Sequence, residues 1–224
     1  MVKIISAGSF GVVPHTTVKL MYELLLHPEA LDRIMQELSH IEGDIAFADF
    51  LRYNGAVNKL PYLEGAVREA IRLSPSASFT LSRVVPPVGC QLHQYFIPPG
   101  KIVGMSSYPV NYDKGYFGDD VAEFKPERWI GDHPTEMLDG EPRTMKNWLE
   151  AGWLSFGHGG RNCLGRHLAL FMMMKFFGRV LRTFDFELLK APYEYYTLMS
   201  ENIGMEVRVR RKAPGAAAAV GIAT

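Results

Sequence analysis

Cysteine is scarce in this chain: among 224 residues there are two, Cys90 and Cys163, far apart in sequence. Two cysteines are too few for a disulfide scaffold, so a reducing compartment is expected and Cys163 is free for chemistry. No excess of charge of either sign is present either, because 24 basic residues balance 24 acidic ones. That balance excludes a global field that would recruit nucleic acid or an anionic membrane, and leaves only local patches. Long apolar runs are also lacking. The opening "MVKIISAGSFGVV" has one lysine and early glycines, which does not read as a secretory leader. The run "LALFMMM", residues 168–174, stops at Lys175, far short of the roughly 20 residues of a spanning helix. The chain is thus expected to carry no anchor or signal of its own. There is no internal repeat, and the uncharged, low-complexity end "APGAAAAVGIAT" reads as a frayed tail over 212–224.

What is present suffices for a packed core, with 47% hydrophobic residues. Val18, Met21, Leu24, Leu25, Leu31, Ile34, Met35 and Leu38 recur at helical spacing, and "HP" at 27–28 divides them into two helices meeting at a bend. A further helix is expected from about Pro61 to Leu73, stopped by Ser74-Pro75, with Glu69 and Arg72 one turn apart on one face. From 79 to 110, β-branched residues and Phe96 alternate with "PP", "VG" and "PPG", the pattern of short strands and turns. An irregular segment to 155 follows, and loops of that length tend to be functional. Residues 165–184 read as a helix apolar nearly all round, hence central, and "DFELL" and "GMEVRVRR" as closing strands. The fold class is therefore mainly α with small β-sheets.

The most informative stretch is "WLSFGHGGRNCLGRHLAL", residues 153–170. Cys163 precedes a helix expected to begin near Leu164, and a helix N-terminus favours the thiolate form of a nearby cysteine. Gly157, Gly159, Gly160 and Gly165 allow the backbone to approach something flat and bulky. Phe156 can cover such an object and Arg161 can pair with an anionic edge. A flat, carboxylate-bearing ligand held by a thiolate points to haem. The plain alternative for Cys163 is a buried structural thiol. Zinc would need His158, Cys163, His167 and Cys90, which lack the paired close spacing of zinc ligands.

Phe156, Gly159, Arg161, Cys163 and Gly165 fill every fixed position of F-x-x-G-x-R-x-C-x-G, the haem-loop pattern of the cytochrome P-450 family, which this sequence resembles. "EAIR" (69–72) is similar to the family's E-x-x-R helix and "FKPERW" (124–129) to its P-E-R-W segment. The wording between these motifs looks most like fungal microsomal members, including the pisatin demethylase type. The resemblance implies the cytochrome P-450 fold, C-terminal portion only, over residues 1–211, followed by the disordered tail 212–224. It implies haem b held by Cys163 as the iron's axial ligand, and Arg161 and Arg83 as propionate contacts. Phe156, Gly159 and Gly165 would shape the loop. Glu69, Arg72 and Arg128 would form a buried charge network beneath it. Implied further are insertion of one atom of dioxygen into an apolar small molecule, secondary metabolism, and electrons from NADPH through NADPH-cytochrome P-450 reductase. No nucleic-acid partner is implied. Family members of this type are anchored in the endoplasmic reticulum membrane facing the cytosol.

The family's oxygen-activating helix carries a small-residue pair followed by an acid and an alcohol. Here Ala7 and Gly8 are followed by Phe10, Gly11 and Val12. His15, Thr16 and Thr17 offer a displaced proton relay through the two threonine hydroxyls, about a turn too close to "HP". Pro14 is expected to disturb the helix there, and the other reading of "HTT" is a helix N-cap. Two functional expectations follow: a haem-dependent monooxygenase, or a truncated non-catalytic remnant of one. Arg161, Arg166, His167 and Lys175 form a local basic cluster that would face an acidic reductase, unless it is only a solvated face.

Overall fold

A computed structural model describes residues 2–41, 60–131, 134–135, 143–144, 153–196 and 200–213. Three helices lead: α1 (Val2–Leu26), α2 (Pro28–Ser39) and α3 (Pro61–Leu73). The bend expected at "HP" separates α1 from α2, with Pro28 in the first turn of α2 where its missing N–H costs nothing. Ala30, Ile34 and Leu38 recur every four residues and make the buried face of α2. Glu37 on that helix then caps α3 from outside, its carboxylate accepting the Tyr62 N–H at 2.6 Å and the Leu63 N–H at 3.0 Å. Burial pushes the Glu37 carboxyl above the usual range, and those two backbone donors oppose the rise.

α3 is the centre of the molecule: all of its residues but Pro61 are buried. Its spacing and stop follow the sequence, since Ser74-Pro75 ends it. The last long helix, α6 (Arg166–Thr183), places Leu170, Met173, Met174, Phe177, Gly178 and Leu181 in the core. It was expected to be apolar nearly all round and hence central. Instead Leu168, Met172 and Phe176 stay exposed along one ridge, so α6 is buried on one face only.

The strands form five two-stranded antiparallel sheets among the described residues. β1 (Thr80–Val84) pairs with β4 (Ile102–Ser106), and the hairpin of β2 (Cys90–Leu92) and β3 (Tyr95–Ile97) lies between them in sequence. Cys90 is exposed on β2. Two short helices, α4 (Ser107–Asn111) and α5 (Lys114–Phe117), and a 3-10 turn at Pro126–Trp129 follow. The irregular segment also holds a small pair, β5 (Pro134–Thr135) and β6 (Arg143–Thr144). The closing strands expected from "DFELL" and "GMEVRVRR" form as β7 (Phe184–Lys190) and β10 (Glu206–Arg211), and they pair with each other. A second hairpin, β8 (Tyr193–Tyr196) with β9 (Ser200–Ile203), was not foreseen. It contains too few alternating apolar residues to announce itself.

Two further expectations change. α1 runs through Pro14 without ending, so His15, Thr16 and Thr17 sit inside a helix and not at its N-cap. A proline removes only one i to i−4 bond, and a long helix tolerates that with a local bend. The tail expected from 212 lies outside the described residues beyond Ala213. Lys212 itself is bound, its backbone N–H to the Thr183 carbonyl at 2.9 Å and its Nζ to the Leu181 carbonyl at 2.8 Å.

Candidate functional site: a cysteine loop above a buried charge network

The 3-10 turn at 126–129 packs so closely on α3 that a Cβ added to Gly65 would lie 2.6 Å from the Pro126 carbonyl oxygen. Only glycine permits that approach. It brings Glu69, Arg72 and Arg128 together, the three residues singled out from sequence. Glu69 and Arg72 are both 0% exposed. Glu69 Oε2 accepts Arg72 Nε at 2.8 Å and the Trp129 indole N–H at 2.9 Å. Its Oε1 accepts Arg72 Nη2 at 2.8 Å, Arg128 Nε at 3.1 Å and the Lys125 backbone N–H at 3.2 Å.

Arg72 spends its remaining donors on backbone carbonyls. Nη1 donates to Asn111 at 2.8 Å and Val121 at 2.7 Å, and Nη2 to Glu123 at 3.3 Å. All five guanidinium N–H groups are thereby used. Arg128 donates through Nη1 to the Phe117 carbonyl and through Nη2 to the Asp120 carbonyl at 2.6 Å. Its Nη2 also lies 2.7 Å from Asp120 Oδ1. Lys125 first, and then Arg128, hold the Asp120 carboxyl below the usual carboxylate range against the opposing effect of burial. Complete pairing is what makes two buried charges tolerable, and it locks α3 to the segment 111–129.

The same aromatic cluster reaches the cysteine loop. Trp129 lies 5.1 Å from Trp153, and Trp153 meets Phe156 edge-on at 5.1 Å. Arg68 and Arg166 both stack on Trp153, at 5.5 and 5.4 Å, and Arg166 also lies 5.9 Å from Phe156. Arg166, expected in an exposed basic cluster, is thus half-buried against aromatic rings, while Arg161, His167 and Lys175 are exposed. Phe156 was expected to cover a flat ligand; its ring packs on Trp153 at the edge of the core.

Beyond Phe156 the loop is held by its own backbone. The Cys163 N–H donates to the Phe156 carbonyl at 2.7 Å and the Asn162 N–H to Gly159 at 3.1 Å. Gly157 and Gly159 take φ values of 73° and 68°, which this closure requires and other residues resist. α6 starts at Arg166 with Gly165 as its N-cap, so Cys163 stands two residues before that cap and not at the first helical position. Its thiol is exposed. Arg83, on β1, donates through Nη2 to the His158 carbonyl at 3.3 Å, which brings it to the same loop.

A planar group bearing carboxylates would need an open thiol, a close backbone approach and cations at its edge. A Cβ at Gly159 or Gly160 would meet nothing within 4 Å, and Leu164 and Leu168 present exposed apolar surface beside Cys163. Arg161 is exposed and Arg83 borders the loop. The residues fit haem.

On the other side of the core, Thr16 Oγ1 donates to the Val12 carbonyl at 3.2 Å and Thr17 Oγ1 to Val13 at 2.8 Å. Thr17 also approaches Met173 Sδ at 3.3 Å, which ties α1 to α6. Sequence reasoning missed the partners of His15, which bonds to Ser74 and Asn202. Nothing local in "HTT" signals contacts with residues 59 and 187 positions away.

A mainly α fold with small sheets, a glycine-closed cysteine loop and a buried Glu–Arg–Arg network define the class. The family model for cytochrome P450 matches residues 8–200. This chain belongs to the cytochrome P450 family. It is 34% identical over 197 residues to cytochrome P450 monooxygenase mpaDE of Penicillium roqueforti, covering 87% of this chain and 22% of that protein. It is 35% identical over 216 residues to cytochrome P450 monooxygenase pkfB of Emericella nidulans, covering 93% of this chain and 39% of that protein. With cytochrome P450 monooxygenase asR2 of Sarocladium schorii it shares 32% identity over 200 residues, 87% of this chain and 36% of that one. The chain therefore spans between 22% and 39% of the length of these curated relatives. Among the described residues no helix is long and apolar enough to cross a membrane.

Proposed function

We propose that this chain supplies the haem-thiolate portion of a fungal-type monooxygenase of secondary metabolism, corresponding to the C-terminal part of the family's fold over residues 1–211. The observation that carries the reading is the exposed Cys163 thiol in a loop closed by its own N–H bond to Phe156 and bordered by Arg83. Bound haem supplies the redox chemistry that activates dioxygen, and a thiolate ligand favours O–O cleavage. Cys163 is the ligand in this reading, and Arg161 and Arg83 hold the two propionates. Gly159 and Gly165 would let the loop's backbone approach the group, and Phe156 fixes the loop to the aromatic cluster. Glu69, Arg72 and Arg128 keep that platform rigid from below.

Thr16 and Thr17 pass a proton only by leaving the carbonyls of Val12 and Val13, to which they now donate. The substrate is an apolar small molecule. By family position, Phe79 to Leu81 and the loop near Leu198 to Ile203 contribute to its surroundings; Leu198 and Met199 lie outside the described residues. Electrons come from NADPH through NADPH-cytochrome P-450 reductase, and the whole protein sits at the endoplasmic reticulum.

The test is the absorption spectrum of the full chain, loaded with haem, reduced and exposed to carbon monoxide, beside Cys163→Ala. The reading expects a red-shifted Soret band that the variant loses. A spectrum typical of free or imidazole-bound haem in both would overturn it, and would favour the non-catalytic remnant.

A further inference from the structure

His15 is 2% exposed and lies inside α1. Its ring joins three elements. Nδ1 accepts the Asn202 backbone N–H of β9 at 2.9 Å. Nε2 lies 2.8 Å from the Ser74 carbonyl and 3.0 Å from Ser74 Oγ, just after α3. A backbone N–H can only donate, so Nδ1 carries no proton and the ring is the neutral Nε2–H tautomer. The Nε2–H donates to the Ser74 carbonyl.

The surroundings leave that assignment little freedom. Asn202 Nδ2 donates to Ser74 Oγ at 3.2 Å, and Ser74 Oγ donates to Glu194 Oε1 of β8 at 2.7 Å. Asn202 Nδ2 also faces His15 Nδ1 at 3.3 Å. A proton added at Nδ1 would therefore meet two N–H groups, one of which is fixed by the strand. Among the described residues, a charged group across Ser74 from the ring is Glu194, which accepts from Ser74 Oγ. Tyr112, whose hydroxyl bonds the Leu73 carbonyl, stands near Glu194. β9 presents the Asn202 amide groups and the end of α3 presents Ser74.

We propose that His15 is a pH-sensitive latch that holds the β8–β9 hairpin onto α1 and the end of α3 in its neutral form and releases it when protonated. The unfolded chain takes up the proton and the closed latch does not. Closure is therefore fully favoured above the ordinary histidine value of about 6.5 and weakens as the pH falls below it. Glu194 sits on the Nε2 side, where the neutral ring already donates, so it does not relieve the conflict at Nδ1. Release would free β8 and β9 without touching the Glu69 network, which shares no hydrogen bond with His15 among those described.

The experiment is amide hydrogen exchange of the full chain at about pH 7.5 and about pH 5.5, values that bracket the histidine range, corrected for intrinsic exchange. In the wild type the protection factor of the Asn202 amide is expected to fall at least about tenfold at the lower pH, while amides of α3 keep theirs. His15→Asn keeps an acceptor near the Nδ1 position and cannot be protonated there, so its Asn202 protection stays level between the two pH values. An unchanged wild-type protection factor, or an equal fall in His15→Asn, would overturn the latch. So would a response abolished by Glu194→Gln but kept in His15→Asn, because the carboxylate would then be the titrating group. Should His15→Asn fail to fold, the ring nitrogen shifts of His15 in the wild type at neutral pH decide: Nε2–H is expected, and Nδ1–H contradicts the proposal.

Discussion

The buried charge network and the cysteine loop lie within one aromatic cluster, yet they are built in opposite ways. Around Glu69 every donor and acceptor is used and the two central charges have no contact with water. Around Cys163 the backbone is tightly closed while the thiol, Arg161 and Leu164 face outward. The difference teaches that the network's residues are spent on the fold, while the loop's side chains remain open to solvent. A side chain with all its hydrogen-bonding groups engaged inside the protein has none left to offer a ligand, and an exposed one does.

Breaking the network should have the largest effect. Glu69→Gln leaves Arg72 and Arg128 without their shared anion, and removing one partner of a buried pair costs about 3–5 kcal/mol. Urea unfolding of the haem-free chain should show most or all of its cooperative transition gone. Arg166→Ala, at the join between the two regions, removes the guanidinium stacked on Trp153 and Phe156. A loss of about 1–2 kcal/mol is expected from a half-buried contact, with a shift in tryptophan emission as the spectroscopic check. Trp129→Phe deletes one hydrogen bond to Glu69 and leaves a smaller aromatic ring, so thermal melts should register a loss of about 1–3 kcal/mol at a charged acceptor.

Asp120 sharpens the comparison by pH. Lys125 and Arg128 depress its folded pKa, so its contribution is present above the ordinary aspartate value of about 3.9 and is lost as pH falls through its lower folded value. Thermal melts of Asp120→Asn should therefore lie below wild type at neutral pH, with the gap closing in acid. The smallest effect on stability belongs to the loop: Cys163→Ala alters an exposed thiol and should stay within about 0.5 kcal/mol of wild type.

Much of this was legible in the sequence because the signals are local. The limits of α3 follow from Pro61 and Ser74-Pro75, the division of α1 from α2 from "HP", and the loop from five residues at fixed spacing. The meeting of Glu69 with Arg128 was legible only through resemblance, since nothing in residues 69 and 128 taken alone says that they touch. What stayed hidden depends on distant packing. Arg166 looks like a surface cation until Trp153 is found beneath it, and His15 looks like part of a cap until Ser74 and Asn202 arrive from remote positions. The exposed ridge of Leu168, Met172 and Phe176 could not be told from a buried one, because periodicity reports apolar character and not what covers it.

The central claim is that stability resides in the network and not in the Cys163 side chain. Its most direct test is urea unfolding of the haem-free chain, followed by circular dichroism, for Glu69→Gln and Cys163→Ala side by side. The account predicts a midpoint for Cys163→Ala that coincides with wild type and a transition lost or displaced by about 3–5 kcal/mol for Glu69→Gln. Equal midpoints for the two variants, or a larger loss in Cys163→Ala, would contradict it.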